Sequence, residues 1–277
     1  MKSIAVIGHG VWGKKLTKSI QKASIRNQVE WVSSRAFLSD TPKRIFDVVW
    51  IAGRPGSQAK TLEIAQLISK LVILEKPLGA TLNDFLRVEE LIKGANTKIG
   101  LSMPWCFSNT WLTLQERIKY WDLKGASLTF QRCGPVAHSY ISPIEDWIPH
   151  DIYLASDILP SYEAHASVKV IKKSFRESVI SLELEREITL NFEFKVSSSK
   201  ESKLKLVTST GTANIDFLNK KLIINGEASE VSISSGLDEI NRNLLAAING
   251  EASKTIQSVR TQTWMKDLID NAYNFIS

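Results

Sequence analysis

The sequence predicts a doubly wound α/β domain followed by an α+β domain with a largely antiparallel sheet. Three observations carry that reading of the 277 residues. Short, wholly apolar runs alternate with helical patterns over the first hundred residues. Three glycines, Gly8, Gly10 and Gly13, follow the first run at the spacing G-x-G-x-x-G. After about residue 120 the hydrophobic period changes to two.

The first apolar run, "SIAVIG", reads as a buried strand, and "VWGKKLTKSIQKA" has the apolar spacing of a helix. "VEWVSS" and "FDVVWIA" are the next strands. "GSQAKTLEIAQLISK" is helical and "LVILEK" is a fourth strand. "TLNDFLRVEELIKGA" predicts a helix with Thr81 as N-cap and Gly94 near its C-cap, and "TKIGLS" closes the series. Strands apolar throughout and separated by helices mean βαβ units in a parallel sheet covered on both faces.

In the second half, "EITLNFEFKV" alternates: Ile188, Leu190, Phe192, Phe194 and Val196 face one way, Thr189, Asn191, Glu193 and Lys195 the other. A half-buried antiparallel strand has this pattern. "ASVKVIKKSF", "SVISLELE", "KLKLVTS", "TANIDF" and "KLIIN" read similarly, with turns at "TGT" and at Asn225-Gly226. Two helices, "LDEINRNLLAAIN" and "TIQSVRTQTWMKDLIDNAYNFI", close the chain. The change of pattern divides the chain into a nucleotide domain over 1–120 and a substrate or oligomerisation domain over 121–277, which the absence of a linker or repeat predicts to be tightly joined.

A hydrophobic content of 43% and a charged content of 23% are those of a globular protein. No run approaches the roughly 18 apolar residues of a membrane span. Gly8, His9 and Gly10 interrupt the first apolar run too early for a signal peptide. The two cysteines, Cys106 and Cys133, form no CxxC and no metal spacing, which points to a reducing, cytoplasmic setting with no metal site. The net charge of +6 comes from scattered lysines. Lys200, Lys203, Lys205, Lys220 and Lys221 fall among alternating strands, where a solvated sheet face outweighs a nucleic-acid footprint.

The glycine spacing gains meaning from its place between a strand and a helix. There Gly8 allows a tight turn, Gly10 lets backbone approach a pyrophosphate, and Gly13 lets the helix pack on the strand. His9, Val11 and Trp12 fill the free positions of this dinucleotide loop. The first domain is therefore of the Rossmann type. NAD-binding chains place an acid at the end of the second strand, for the ribose 2′-hydroxyl. Here Ser33, Ser34 and Arg35 stand instead; hydroxyls and a guanidinium suit a 2′-phosphate, so NADP is favoured, with NAD open.

The fourth strand ends in Glu75-Lys76-Pro77, delivering a lysine to the carboxyl edge of the sheet, where doubly wound folds bind ligands. Pro77 holds the backbone of Lys76 extended. The glycine loop, "EKPLGAT" and the strand-rich second half together resemble the glucose–fructose oxidoreductase/inositol dehydrogenase (Gfo/Idh/MocA) family, in detail over residues 1 to about 101 and in architecture beyond. The resemblance implies that Lys76 contacts the nicotinamide side of the site and the substrate.

The family also tends to place an aspartate four residues before a histidine, and "IEDWIPHDIYLASDIL" offers Asp146 and His150 at that separation. His150 is an acid–base candidate on its own account: it follows Pro149, a residue suited to a first helical position, and opens an apolar helix. Capping of that helix, with Asp151 as a dipole partner, is the alternative. Asp157 reads as solvent-facing, and His138 and His165 as loop or surface residues. In this scheme Lys76 polarises the substrate oxygen, His150 moves a proton and Asp146 orients its ring. The chain departs from the family at "RPGSQAK", where Gln58 roughly replaces a histidine, at "SYISPIEDWIP", which lacks a glycine-rich lead, and at "MPWCFSNTW". Core packing is the default for Trp105, Trp111, Trp121 and Trp147.

The function expected is NADP-dependent hydride transfer to or from a carbonyl, hydroxyl or imine carbon of a small substrate. The alternative is a regulatory protein of the same fold that senses the dinucleotide without catalysis. Membrane and nucleic-acid partners are not expected. In the family, the open face of the second sheet commonly packs on another subunit, which implies a homodimer; here that face is polar and lysine-bearing.

Overall fold

The computed structural model describes residues 3–23, 28–40, 43–135, 143–159, 167–173 and 176–232, with Glu239 and Arg242. His138, His165 and, apart from Glu239 and Arg242, the two helices expected at the end of the chain lie outside the described residues. The chain divides into two compact units, one centred on Met1–Pro104 and the other on Trp105–Ser234.

The first unit runs β1 (Ser3–Ile7), α1 (Val11–Ala23), β2 (Gln28–Val32), α2 (Ser34–Ser39), β3 (Val48–Ile51), a 3₁₀ turn (Pro55–Ser57), α3 (Gln58–Ala65), β4 (Leu71–Leu74), α4 (Leu82–Lys93) and β5 (Lys98–Leu101). All pairings of its sheet are parallel, in the order β2-β1-β3-β4-β5. The strands are apolar because both faces are covered: Ile4, Val6, Val48, Trp50, Leu71 and Ile73 pack with Leu16 and Ile20 of α1. The strand order reverses between β1 and β3, the switch point at which such sheets leave a crevice.

Local chemistry fixes the ends of these elements. Thr81 Oγ1 accepts from the Asp84 amide while the Asp84 carboxylate accepts from the Thr81 amide, a reciprocal cap on α4, and Gly94 ends the helix. Gly79 has no room for a side chain, since a Cβ there would lie 2.4 Å from Asp84 Cβ. At the opposite edge, Asp47 accepts from the backbone and hydroxyl of Ser3 and pairs with Lys70. These contacts, the Ser3 amide foremost, hold its carboxyl down to about 2.

The second unit contains a 3₁₀ turn (Pro104–Phe107), α5 (Asn109–Ile118), β6 (Ser127–Gly134), α6 (Pro143–Ile158), β7 (Ser167–Lys173), β8 (Glu177–Glu183), β9 (Thr189–Val196), β10 (Glu201–Val207), β11 (Thr212–Asp216), β12 (Lys221–Ile224) and β13 (Glu227–Ser229). The helix α5, which ends before residue 120, contacts β11, β12 and α6 of this unit. The sheet order is β13-β12-β11-β10-β6-β9-β8-β7. Leu128 and Phe130 of β6, Leu190, Phe192 and Phe194 of β9, and Leu204 and Leu206 of β10 are buried on one face. The β12–β13 loop carries Asn225 and Gly226 at φ 51° and 86°, the left-handed pair that a two-residue hairpin requires.

Three expectations are corrected. The strand β9 pairs antiparallel with β8 but parallel with β6, because alternation reports a buried face and not a neighbour's direction. The tail of "VEWVSS" turns into α2, capped by the Ser33 hydroxyl. The helix bearing His150 begins at Pro143, so Pro149 lies inside it and His150 does not open it.

Candidate functional site

The glycine loop occupies the carboxyl end of β1. Gly8 has φ +140°, and a Cβ there would lie 2.3 Å from the Ala52 carbonyl oxygen at the end of β3. A Cβ on Gly13 would lie 2.1 Å from the Gly8 carbonyl oxygen, so α1 crosses the strand at backbone contact. Gly10 is the opposite case, with open space all round its Cβ position. His9, Gly10 and Val11 are exposed, Val11 at 90%. The loop is thus tight where it packs on the sheet and bare at its outer rim. Trp12 instead turns inward against the core of the sheet.

One neighbour, Trp31, shapes this loop. The Trp31 indole N–H donates to the Gly8 carbonyl oxygen at 2.6 Å, and the His9 ring lies 4.5 Å from that of Trp31. Beyond Trp31, Ser33 Oγ accepts from the Ala36 amide at 3.0 Å, which leaves its own proton to donate. Ser34 Oγ lies against Gly53 in the loop after β3, and Arg35 is exposed in the first turn of α2. The structure therefore gathers Ser33, Ser34 and Arg35 at one end of the sheet beside the glycine loop.

At the end of β4, Glu75 is buried, Lys76 half-buried and Pro77 buried, and the Lys76–Pro77 peptide is cis. Trp50 Nε1 donates to Glu75 Oε1 at 3.0 Å. Burial lifts the Glu75 carboxyl to about 6, opposed by Ser102, Trp12, Trp50 and the charge of Lys76. Neither Ser102 Oγ nor Trp12 Nε1 reaches good hydrogen-bonding geometry. Gln58, fully buried at the start of α3, donates from Nε2 to the carbonyl oxygens of Glu75 at 2.7 Å and Pro77 at 2.8 Å.

In the second unit, α6 holds Asp146 and His150 one helical turn apart, both half-buried. The His150 ring stacks on Trp105 at 5.1 Å and 20°, and Trp105 stacks on Phe217 at 5.2 Å. Arg132 of β6 sets its guanidinium 3.9 Å from the Trp105 centroid. Asp151 is wholly buried and takes Arg132 Nε on both oxygens, at 2.9 and 3.2 Å, with Nη2 as a further donor. It is therefore a buried counter-ion to Arg132. Asp157 accepts from Trp111 Nε1 at 2.9 Å and Gln115 Nε2 at 2.8 Å, tying α5 to α6 instead of facing solvent.

Arg132 and Trp31 were not singled out by the sequence reading. A signal for Arg132 existed, since alternation in "SLTFQRCG" places it in phase with buried Leu128 and Phe130. Nothing local marks Trp31 as the donor to a loop 23 residues earlier. Among the described residues, no group of three or more His, Cys, Asp or Glu is arranged to hold a metal ion, and no helix is long and apolar enough to cross a membrane.

No family model and no curated protein sequence matches the chain. Solved structures do match it along its whole length. UDP-N-acetylglucosamine 3-dehydrogenase from Acidithiobacillus ferrooxidans superposes with a TM-score of 0.76 at 15% identity, over 96% of this chain and 95% of that one. An oxidoreductase from Agrobacterium radiobacter, in complex with NAD+, L-tartaric acid and magnesium, gives 0.74 at 13% identity, over 96% and 94%. Biliverdin reductase from Synechocystis sp. PCC 6803, in complex with biliverdin and NADP+, gives 0.70 at 13% identity, over 98% of each chain. The chain thus has the fold of these oxidoreductases.

Proposed function

We propose that this protein is an NADP-dependent oxidoreductase that transfers a hydride between nicotinamide and a carbonyl, hydroxyl or imine carbon of a small substrate. One observation carries the reading most: at the switch point of a parallel sheet, Gly8 and Gly13 are locked against backbone while Gly10 alone opens outward. Backbone of this shape fits a pyrophosphate, which needs close approach at the middle glycine and a helix beginning beside it. Structures of the same fold hold NAD+ or NADP+. The bound coenzyme supplies the hydride chemistry.

The choice of NADP rests on Ser33, Ser34 and Arg35 standing where a carboxylate would repel a 2′-phosphate. Lys76 polarises the substrate oxygen. His150, on α6, donates or accepts the proton, since imidazole can do either near neutral pH. Asp146, one turn earlier, orients the ring. The outer face of β6, β9 and β10, with Gln131, Glu193 and Lys205, is assigned to a second copy of the chain, and the pair of cysteines, outside any CxxC, to a cytoplasmic setting.

The test is calorimetry with NADPH and NADH, followed by NADPH oxidation against a panel of carbonyl and imine metabolites. His150→Ala is expected to abolish turnover while keeping NADPH affinity. Absence of binding by either coenzyme rejects the reading. Binding without turnover on any substrate favours the sensor alternative.

A further inference from the structure

We propose that Gln58 is a positioning residue for Lys76: one buried amide holds the backbone on both sides of the Lys76–Pro77 bond and so sets where the lysine points. Nε2 donates to the carbonyl oxygen of residue 75 at 2.7 Å and to that of residue 77 at 2.8 Å. The orientation of the amide is not arbitrary. Exchanging its oxygen and nitrogen would press an acceptor against two carbonyl acceptors at those distances. Two hydrogen bonds bracketing one residue remove the freedom of that residue's backbone to rotate, and a side chain can be no better placed than its own Cα.

Gln58 is fully buried, and its Oε1 has no hydrogen-bond partner. A buried acceptor left unpaired works against folding, and an apolar side chain in the same space would take this donor from two carbonyl oxygens instead. Gln58 thus sacrifices one polar group to gain two directed contacts, and both fall on the strand end that carries Lys76. The far end of the same segment is fixed separately, by Gly79 packed on Asp84 and by the amides of Ala80 and Thr81 donating to the Asp84 carboxylate. Among the described contacts, Gln58 is what ties the near end to α3.

The inference rests on the reading that Lys76 faces coenzyme and substrate, so the experiment separates the two. Crystal structures of Gln58→Glu, an isostere without the donors, and Gln58→Leu would be compared with the parent protein. Turnover and NADPH affinity of both would be measured alongside Lys76→Ala. Displacement of Lys76 in both variants is expected. It should be accompanied by a ten- to hundredfold loss of turnover, the penalty for moving a reacting group by about 1 Å, and an NADPH affinity within about twofold of the parent. Lys76 superposing on its parent position in either variant overturns the proposal. If Lys76 moves but neither its displacement nor its removal alters turnover, the positioning role stands and the assignment of Lys76 to the chemistry fails.

Discussion

The Trp31 indole N–H donates to the carbonyl oxygen of Gly8 at 2.6 Å, joining the end of β2 to the first glycine of the loop. That bond braces a residue at φ +140° against an outward-facing turn. Trp31→Phe keeps the ring and removes the donor. A hydrogen bond of this kind contributes about 1 kcal/mol net, so NADPH affinity should fall about fivefold. Fluorescence titration of coenzyme reads the change. An unaltered dissociation constant would show that the loop holds its shape without this brace.

Gly10 and Gly13 should respond oppositely to alanine. A methyl at Gly13 meets the Gly8 carbonyl oxygen at 2.1 Å, so α1 must lift from β1, a strain of about 1–3 kcal/mol or more. A methyl at Gly10 meets nothing. Gly13→Ala is therefore expected to lower the melting temperature, and Gly10→Ala to melt like the parent while losing coenzyme affinity. If Gly10→Ala binds NADPH as the parent does, pyrophosphate does not approach that rim.

What the sequence disclosed divides along a physical line. Signals local to a few residues were legible: the apolar runs of the parallel sheet, the G-x-G-x-x-G turn, and the Thr81 and Gly94 caps of α4. Gln58 stood out in sequence only as a departure from a family pattern. Its role needs two carbonyls 17 and 19 residues away, which no periodicity encodes. The start of α6 was misplaced because the rule favouring proline early in a helix fits Pro143 as well as Pro149. Asp151 stands out in sequence only as a dipole partner in the capping alternative, because its counter-ion, Arg132, lies 19 residues earlier on β6.

The carboxyl of Glu75 gives stability a distinct pH dependence. Its folded value, about 6, stands above the ordinary 4.5, so the folded protein binds this proton more tightly than the unfolded chain. Its contribution is full below about 4.5 and is lost as pH rises through 6. The gap between those two values corresponds to about 2 kcal/mol. Urea denaturation between pH 4.5 and 7.5 should show that decline in the parent and not in Glu75→Gln. The same slope in both proteins would assign it to another group.

Arg132 and Asp151 form a pair with 4% and 0% of their side chains exposed. Removing one partner strands a buried charge, so Asp151→Asn should destabilise by about 3–5 kcal/mol, whereas replacing both, as in Arg132→Met with Asp151→Leu, should recover most of the loss. Chemical denaturation of the two variants checks this. A double variant as unstable as Asp151→Asn would mean that the pair also fixes the packing of Trp105, on which the guanidinium lies.

The preference proposed for NADP is tested at Arg35. It is exposed in the first turn of α2, just after Ser33, whose hydroxyl keeps a proton to donate, and Ser34, which sits against Gly53. NADPH differs from NADH by a 2′-phosphate, to which a guanidinium makes charge-assisted hydrogen bonds of about 1.5–3 kcal/mol. Arg35→Ala should therefore weaken NADPH by about ten- to a hundredfold and leave NADH within about twofold. The NADPH loss should shrink at high salt, because the partner is a surface charge. Calorimetry with both coenzymes at two ionic strengths decides it. Equal losses for the two would place Arg35 on a part of the coenzyme that they share and remove the basis for preferring NADP.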